Sequence, residues 1–363
     1  MKYLEAYRRK DLVEKLAERI KSRSEGPARF MEVCGGHTMT LHKYGLPDLL
    51  PGHTSLISGP GCPVCVSGQG FIGALIELAS MPKVTVATYG DLMRIPVGHR
   101  TLEKERASGA DIRVVYSVSE ALALARANSG RKIIFAGIGF ETTAPLTAAA
   151  ILAARSEKLK NFLVYSSHKT MPPALERIAS DGEGIDGFIA PGHVSAISGT
   201  RIYEPLAREY GKAVVVAGFE PVDLMLAILM LTEQLRQGRS RVENGYKRVV
   251  RAEGNPKAQA MMSQVFEPGD DHWRGLGNIA GSGLRIRTTF SRFDASAVFG
   301  IRVENLPEPA GCLCGLVITG KTTPRACPHF GKTCTPETPI GACMVSSEGT
   351  CSVWHRYHQN KSR

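Results

Sequence analysis

The sequence has no apolar run long enough to cross a membrane. Its longest, Leu224-Met225-Leu226-Ala227-Ile228-Leu229-Met230-Leu231, is far short of the ~20 residues a spanning helix needs. The first ten residues, Met1 to Lys10, lack the apolar core and small-residue cleavage site of a secretory leader, so a cytoplasmic protein with reduced thiols is expected. There is no Walker lysine, and Gly137-Ile138-Gly139 lacks the third glycine of a dinucleotide fingerprint, so no nucleotide site is read here. The net charge is +11, which raises nucleic acid as a partner. Its densest part, Arg236, Arg239, Arg241, Lys247, Arg248, Arg251 and Lys257, contains only Glu243 and Glu253 as acids. That segment has no nucleic-acid motif and no series of interleaved aromatics. A solvated face or a patch for an acidic protein is the better reading.

Cysteine is missing from the whole middle of the chain and concentrated at its two ends. Of nine cysteines, Cys34, Cys62 and Cys65 lie near the front, and Cys312, Cys314, Cys327, Cys334, Cys343 and Cys351 crowd the tail. Structural disulfides are not expected in a reducing compartment, so metal binding or redox chemistry must account for them. The distribution predicts two separate thiol centres.

The front centre is organised by Gly59-Pro60-Gly61-Cys62-Pro63-Val64-Cys65. The Gly-Pro-Gly turn excludes helix and strand, and Phe71 to Ala79 reads as a helix. Cys65 is therefore expected near a helix N-terminus, where free N–H groups and the macrodipole favour a thiolate. A buried pair of small residues is the alternative, but the Pro-Gly surroundings argue for a loop.

Earlier in the chain, apolar positions at helical spacing over 5–22 predict an amphipathic helix. Arg29 to Val33 reads as a strand running into Cys34-Gly35-Gly36-His37-Thr38, a glycine turn that exposes a thiol and an imidazole at a sheet's carboxyl edge. His37 is equally well read as a residue capping the next helix.

Pro51 to Gly59 matches Pro191 to Gly199 at seven of nine positions. Similar strand patterns flank both copies, which predicts two related α/β units over 33–125 and 126–235. The second unit lacks thiols. Its polar strand-end residues Glu141, Thr142, Thr143, His168 and His193 are expected to line a cleft facing the first unit. Residues 236–290 read as a long, basic, irregular connection with short structured pieces.

The six tail cysteines have intervals of 1, 12, 6, 8 and 7 residues. These fit paired zinc knuckles poorly, and the closely spaced ferredoxin run is absent too. Four thiolates from distant turns suit a [4Fe–4S] cluster better than zinc and leave two over.

Taken together, Cys34-Gly35-Gly36-His37-Thr38, Gly59 to Cys65, Gly139-Phe140-Glu141-Thr142-Thr143, Pro191-Gly192-His193-Val194-Ser195 and Cys334-Thr335-Pro336-Glu337 through Cys343 to Gly349 give the chain its family likeness. It resembles the HypD family of [NiFe]-hydrogenase maturation proteins over essentially its whole length. The resemblance implies two Rossmann-like α/β domains plus an iron–sulfur domain built from both chain ends, 1–32 with 236–363. It implies a scaffold that works with HypC to assemble the Fe(CN)2CO unit, with cyanide delivered by HypE, and it assigns no standard turnover reaction. Cys34 would hold the iron, with His37 beside it, and Cys62 and Cys65 would form a redox dithiol. The tail is similar to ferredoxin:thioredoxin reductase. On that pattern Cys312, Cys327, Cys334 and Cys351 bind the cluster and Cys314 pairs with Cys343. The rival reading is a stand-alone iron–sulfur thiol–disulfide oxidoreductase, which has no use for Cys34.

Overall fold

The computed structural model describes residues 5–181, 184–303 and 306–358; residues 1–4 of the N-terminal stretch and the ends of the expected terminal domain lie outside them. Two fully parallel sheets form the frame. The first contains β1 (Ala28–Glu32), β2 (Thr54–Ser58), β7 (Gly187–Pro191), β8 (Ala213–Ala217) and β9 (Val242–Asn244), in the order β2-β1-β7-β8-β9. The second contains β3 (Val84–Thr88), β4 (Ile112–Val114), β5 (Lys132–Gly139) and β6 (Phe162–His168), in the order β4-β3-β5-β6. The central strands β3, β7 and β8 are buried throughout, as their continuous apolar runs require of a sheet covered on both faces. A continuous core joins the sheets, with Met31, Phe188 and Val214 of the first packed in the same cluster as Val86, Ile134 and Leu163 of the second.

This topology corrects the expected division at 125/126. The second sheet is inserted between β2 and β7 of the first, so each unit draws on both sides of that boundary. The internal match does not mark a structural repeat either. Thr54–Ser58 in the first copy is strand β2, whereas Gly192–Ser198 in the second is a helix. Near-identical residues diverge because β2 pairs as the edge strand beside β1. The second copy instead begins at the end of the central strand β7, where a Cβ on Gly192 would lie 2.5 Å from the Ala217 carbonyl oxygen. Tertiary context outweighs local propensity here.

Two further expectations change. The N-terminal helix, Lys10–Arg23, does not join the tail; Val13, Ala17 and Ile20 pack in one cluster with Leu224 and Ile228 of the Pro221–Arg236 helix. Residues 236–290 are structured. They hold β9, the helix Pro256–Val265 and an antiparallel hairpin of β10 (Phe266–Trp273) and β11 (Gly277–Ile286). The hairpin buries Phe266, Trp273, Ile279 and Ile286 despite its many glycines. In the basic segment Arg236, Arg241 and Arg248 pair with Glu233, Glu243 and Asp223. No helix among the described residues is long and apolar enough to cross a membrane.

Candidate functional site

In each sheet the strand order reverses at one place, between β1 and β7 in the first and between β3 and β5 in the second. Open parallel sheets bind ligands at the carboxyl ends of such switch points. Here a single cleft of about 690 Å³ is lined from both. Cys34, His193 and Phe219 line it from the first sheet, and Asp91, Thr142 and Thr143 from the second.

Cys34 directly follows the short coil after β1 and stands at the start of the helix Gly35–Lys43, with extended backbone. Its half-buried sulfur lines the cleft. The Gly59-Pro60-Gly61 turn lies against it: the Gly35 N–H donates to the Gly61 carbonyl at 3.2 Å. A Cβ on Gly61 would fall 2.2 Å from the Cys34 nitrogen, so only glycine permits that approach. The turn therefore fixes the Cys62-x2-Cys65 element to the backbone that carries Cys34.

Two carboxyls that sequence reasoning missed flank this sulfur. Glu32 is buried, accepts a hydrogen bond from the Cys34 N–H at 3.1 Å and another from the Thr38 hydroxyl, and burial pushes it up to about 8. Glu348 reaches in from the tail; a Cβ on Gly35 would sit 2.5 Å from its Cβ. Desolvation first, then Glu348 and Glu32, push the Cys34 thiol up to about 12. A site that resists a thiolate on its own, yet is ringed by carboxyls, is one where a bound cation reverses the balance. The only sequence signal for Glu32 is its place at the end of a strand that feeds a glycine turn.

The other predicted positions divide. Thr142, Thr143 and His193 line the cleft, and His193 stacks on Phe219 with centroids 3.9 Å apart. His37 does not line it. Its ring is fully buried, tilted against Phe219, and burial holds its pKa down to about 3. Glu141 lies behind the lining residues, accepting from the Met171 N–H at 2.9 Å, and burial raises it to about 7. His168 is buried between β6 and the hairpin, near Thr147 and Ser166 and against Phe266.

Cys62 and Cys65, read from sequence as a redox pair, are joined as a disulfide. They occupy their own helical turn, Pro63–Val66, with Cys62 as the N-cap and Pro63 at the first helical position, a placement that suits the ring's fixed φ. Both are buried.

The tail thiols converge behind that turn. The sulfurs of Cys314, Cys343 and Cys351 all lie within 4.8 Å of one another and are buried. Cys312 joins Cys314 at Gly341, where an added Cβ would lie 2.7 and 2.5 Å from the two sulfurs. The Cys334 sulfur accepts from the Ile340 N–H at 3.3 Å. The Cys327 sulfur lies 3.9 Å from the carbonyl of Gly311, the residue before Cys312. Hydrogen bonds from Cys314 and Cys351 hold the Cys343 thiol well below its usual range. A buried, all-sulfur donor set of this density fits a soft metal or an iron–sulfur cluster. The short helices Cys314–Ile318 and Ala342–Val345 both pack on Pro63–Val66, so the two thiol centres share one wall.

The chain is also similar in sequence to known proteins. The family model described as "HypD: Hydrogenase formation hypA family" matches residues 10–358. A protein of Cupriavidus necator named "Hydrogenase maturation factor HypD" is 45% identical over 372 residues, covering 99% of this chain and 98% of that one. Proteins of the same name from Escherichia coli and Rhodobacter capsulatus are 44% and 46% identical. The first covers 100% of both chains, and the second 95% of this chain and 93% of its own.

Proposed function

This chain belongs to the HypD family of hydrogenase maturation factors, and on that premise we propose that it is a cytoplasmic scaffold on which the Fe(CN)2CO unit of [NiFe] hydrogenase is assembled. The observation that carries the reading is the position of Cys34, a single accessible sulfur at a double switch point, with the Cys62–Cys65 turn held against its backbone by Gly61. Iron is the cargo. A thiolate is a soft ligand suited to iron that also carries cyanide and carbon monoxide. Glu32 and Glu348, whose protons burial favours, are carboxyls that a bound cation would ionise, so they favour a cation there. His37, buried away from the cleft, is not a ligand on this reading. The open cleft leaves room for ligands from a HypC-type partner.

The Cys62–Cys65 pair supplies the redox step. A HypE-type partner carries cyanide as R–S–CN. Releasing cyanide takes two electrons and gives R–S⁻ and CN⁻, and oxidation of two thiols to a disulfide provides two electrons and two protons. In the tail we assign Cys312, Cys327, Cys334 and Cys351 to a [4Fe–4S] cluster and Cys314 with Cys343 to a sulfur pair. Such a cluster supplies single electrons. The packing of both tail helices on Pro63–Val66 supports a path from the tail sulfurs to Cys62 and Cys65.

The test is infrared spectroscopy of the complex purified anaerobically with a HypC-type partner. Metal-bound cyanide bands are expected, with loss of both bands and maturation in Cys34→Ala while the tail's iron and sulfide remain. Cys62→Ser is expected to lower cyanide-bearing iron strongly; normal occupancy in that variant refutes the redox role. A stand-alone oxidoreductase would be indifferent to Cys34.

A further inference from the structure

Arg274, at the tip of the β10–β11 hairpin, is 1% exposed, and no sequence motif points to it. It meets three consecutive carbonyls at the C-terminal end of the Cys62–Cys65 turn. Its Nε donates to the Cys65 carbonyl at 2.7 Å, its backbone N–H to the Val66 carbonyl at 2.7 Å, and its Nη2 to the Ser67 carbonyl at 2.8 Å. The guanidinium also pairs with Glu308. The next residue, Gly275, has φ +78° and packs so closely on the tail that a Cβ there would lie 2.3 Å from the carbonyl oxygen of Gly315, the neighbour of Cys314. Burial lowers Arg274's own pKa, and the sulfurs of Cys314, Cys312 and Cys343 act in the opposite sense. One buried cation thus lies between the front disulfide and the tail sulfurs.

We propose that Arg274 is a positioning residue that couples the two sulfur centres. Its planar fork fixes the Cys62–Cys65 turn, and its charge offsets the carbonyl dipoles behind Cys65 and favours the reduced pair. This rests on the redox reading of Cys62 and Cys65 given above. Reduction breaks the S–S bond, takes up two electrons and two protons, and gives two thiols. A nearby positive charge stabilises whatever fraction of them ionises, as it does at other reactive cysteines. Arginine suits the task because it stays charged when buried and reaches several acceptors with one rigid group.

The experiment is a redox titration of the anaerobically purified full chain against dithiothreitol, which is oxidised to its cyclic disulfide and supplies the electrons. The Cys62–Cys65 state is read by alkylation and mass spectrometry. Arg274→Gln is expected to shift the equilibrium about tenfold toward the disulfide, about 30 mV for a two-electron couple. Arg274→Lys, which can keep a charge but not the fork, is expected to shift the equilibrium less than Arg274→Gln. Glu308→Gln removes the countercharge from a side chain 35% exposed and is expected to shift the equilibrium toward the dithiol. A glutamine variant within twofold of wild type overturns the proposal, as does a lysine variant that moves as far as the glutamine one. Should Arg274→Gln fail to fold, an unshifted Glu308→Gln overturns it. The titration involves neither HypC nor iron on Cys34, so failure of the scaffold reading would appear in the infrared spectrum and leave this result untouched.

Discussion

Glu141 provides a stability test of the cleft's foundation. Its carboxyl is buried behind Thr142 and Thr143, where one oxygen accepts from the Met171 N–H at 2.9 Å and the other has no partner. Burial raises its pKa from 4.5 to about 7. At acid pH the folded and unfolded chains both hold this proton. Above pH 4.5 the unfolded carboxyl ionises into water while the folded one stays protonated until about pH 7. Stability therefore falls across that window and is flat above it. At about 1.4 kcal/mol per pH unit the full loss is about 3 kcal/mol. Glutamine is a steric twin of the protonated acid and cannot ionise, so Glu141→Gln removes the loss. Between pH 5 and pH 8 the variant should gain about 2.5 kcal/mol on the wild type. With an unfolding entropy of roughly 2.1 cal/mol/K per residue, a chain of this length gives about 0.76 kcal/mol/K, so the gain corresponds to roughly 3 °C in Tm. Thermal melts followed by circular dichroism at both pH values measure it. Parallel wild-type and variant profiles would refute the assignment of Glu141 as a buried, protonated acid.

Other substitutions test the close approaches between elements. Gly61→Ala places a methyl 2.2 Å from the Cys34 nitrogen and 2.4 Å from its Cα. Because backbone on both sides must move, about 1–3 kcal/mol of stability should be lost, with cyanide-bearing iron falling more than the few degrees of Tm would explain. Gly341→Ala puts a methyl 2.5 Å from the Cys314 sulfur and 2.7 Å from that of Cys312. Iron and sulfide per chain should drop while the Cys62–Cys65 disulfide still forms in air, and unchanged metal content would refute Cys312 as a cluster ligand.

The sequence made some of this legible for local reasons. A strand into Gly-Gly predicted the strand end that carries Cys34, and Gly-Pro-Gly predicted the turn before Cys62, because glycine and proline act on the backbone where they stand. The helix after Cys65 followed from spacing alone and forms over Gln69–Ala79. Partners set by tertiary folding were not legible. His37 has the same local setting as Cys34, yet one turn of helix directs its ring inward against Phe219. Glu348 and Arg274 come from distant segments: Glu348 sits in the tail's cysteine-rich motif with nothing local to tie it to Cys34, and no motif adjoins Arg274. The expected 125/126 boundary failed for a related reason: a parallel strand pattern does not encode which sheet a strand joins. The chain leaves the first sheet after β2, builds the second, and returns at β7, and Cys62 and Cys65 lie at the start of the outward crossing. That route explains why one short turn touches both centres. It must pass the carboxyl edge of β1, where Cys34 stands, before reaching β3, and the tail closes over the same crossing from behind. A thiol pair placed within either sheet would contact one centre only; placed on the crossing, it lies between the two.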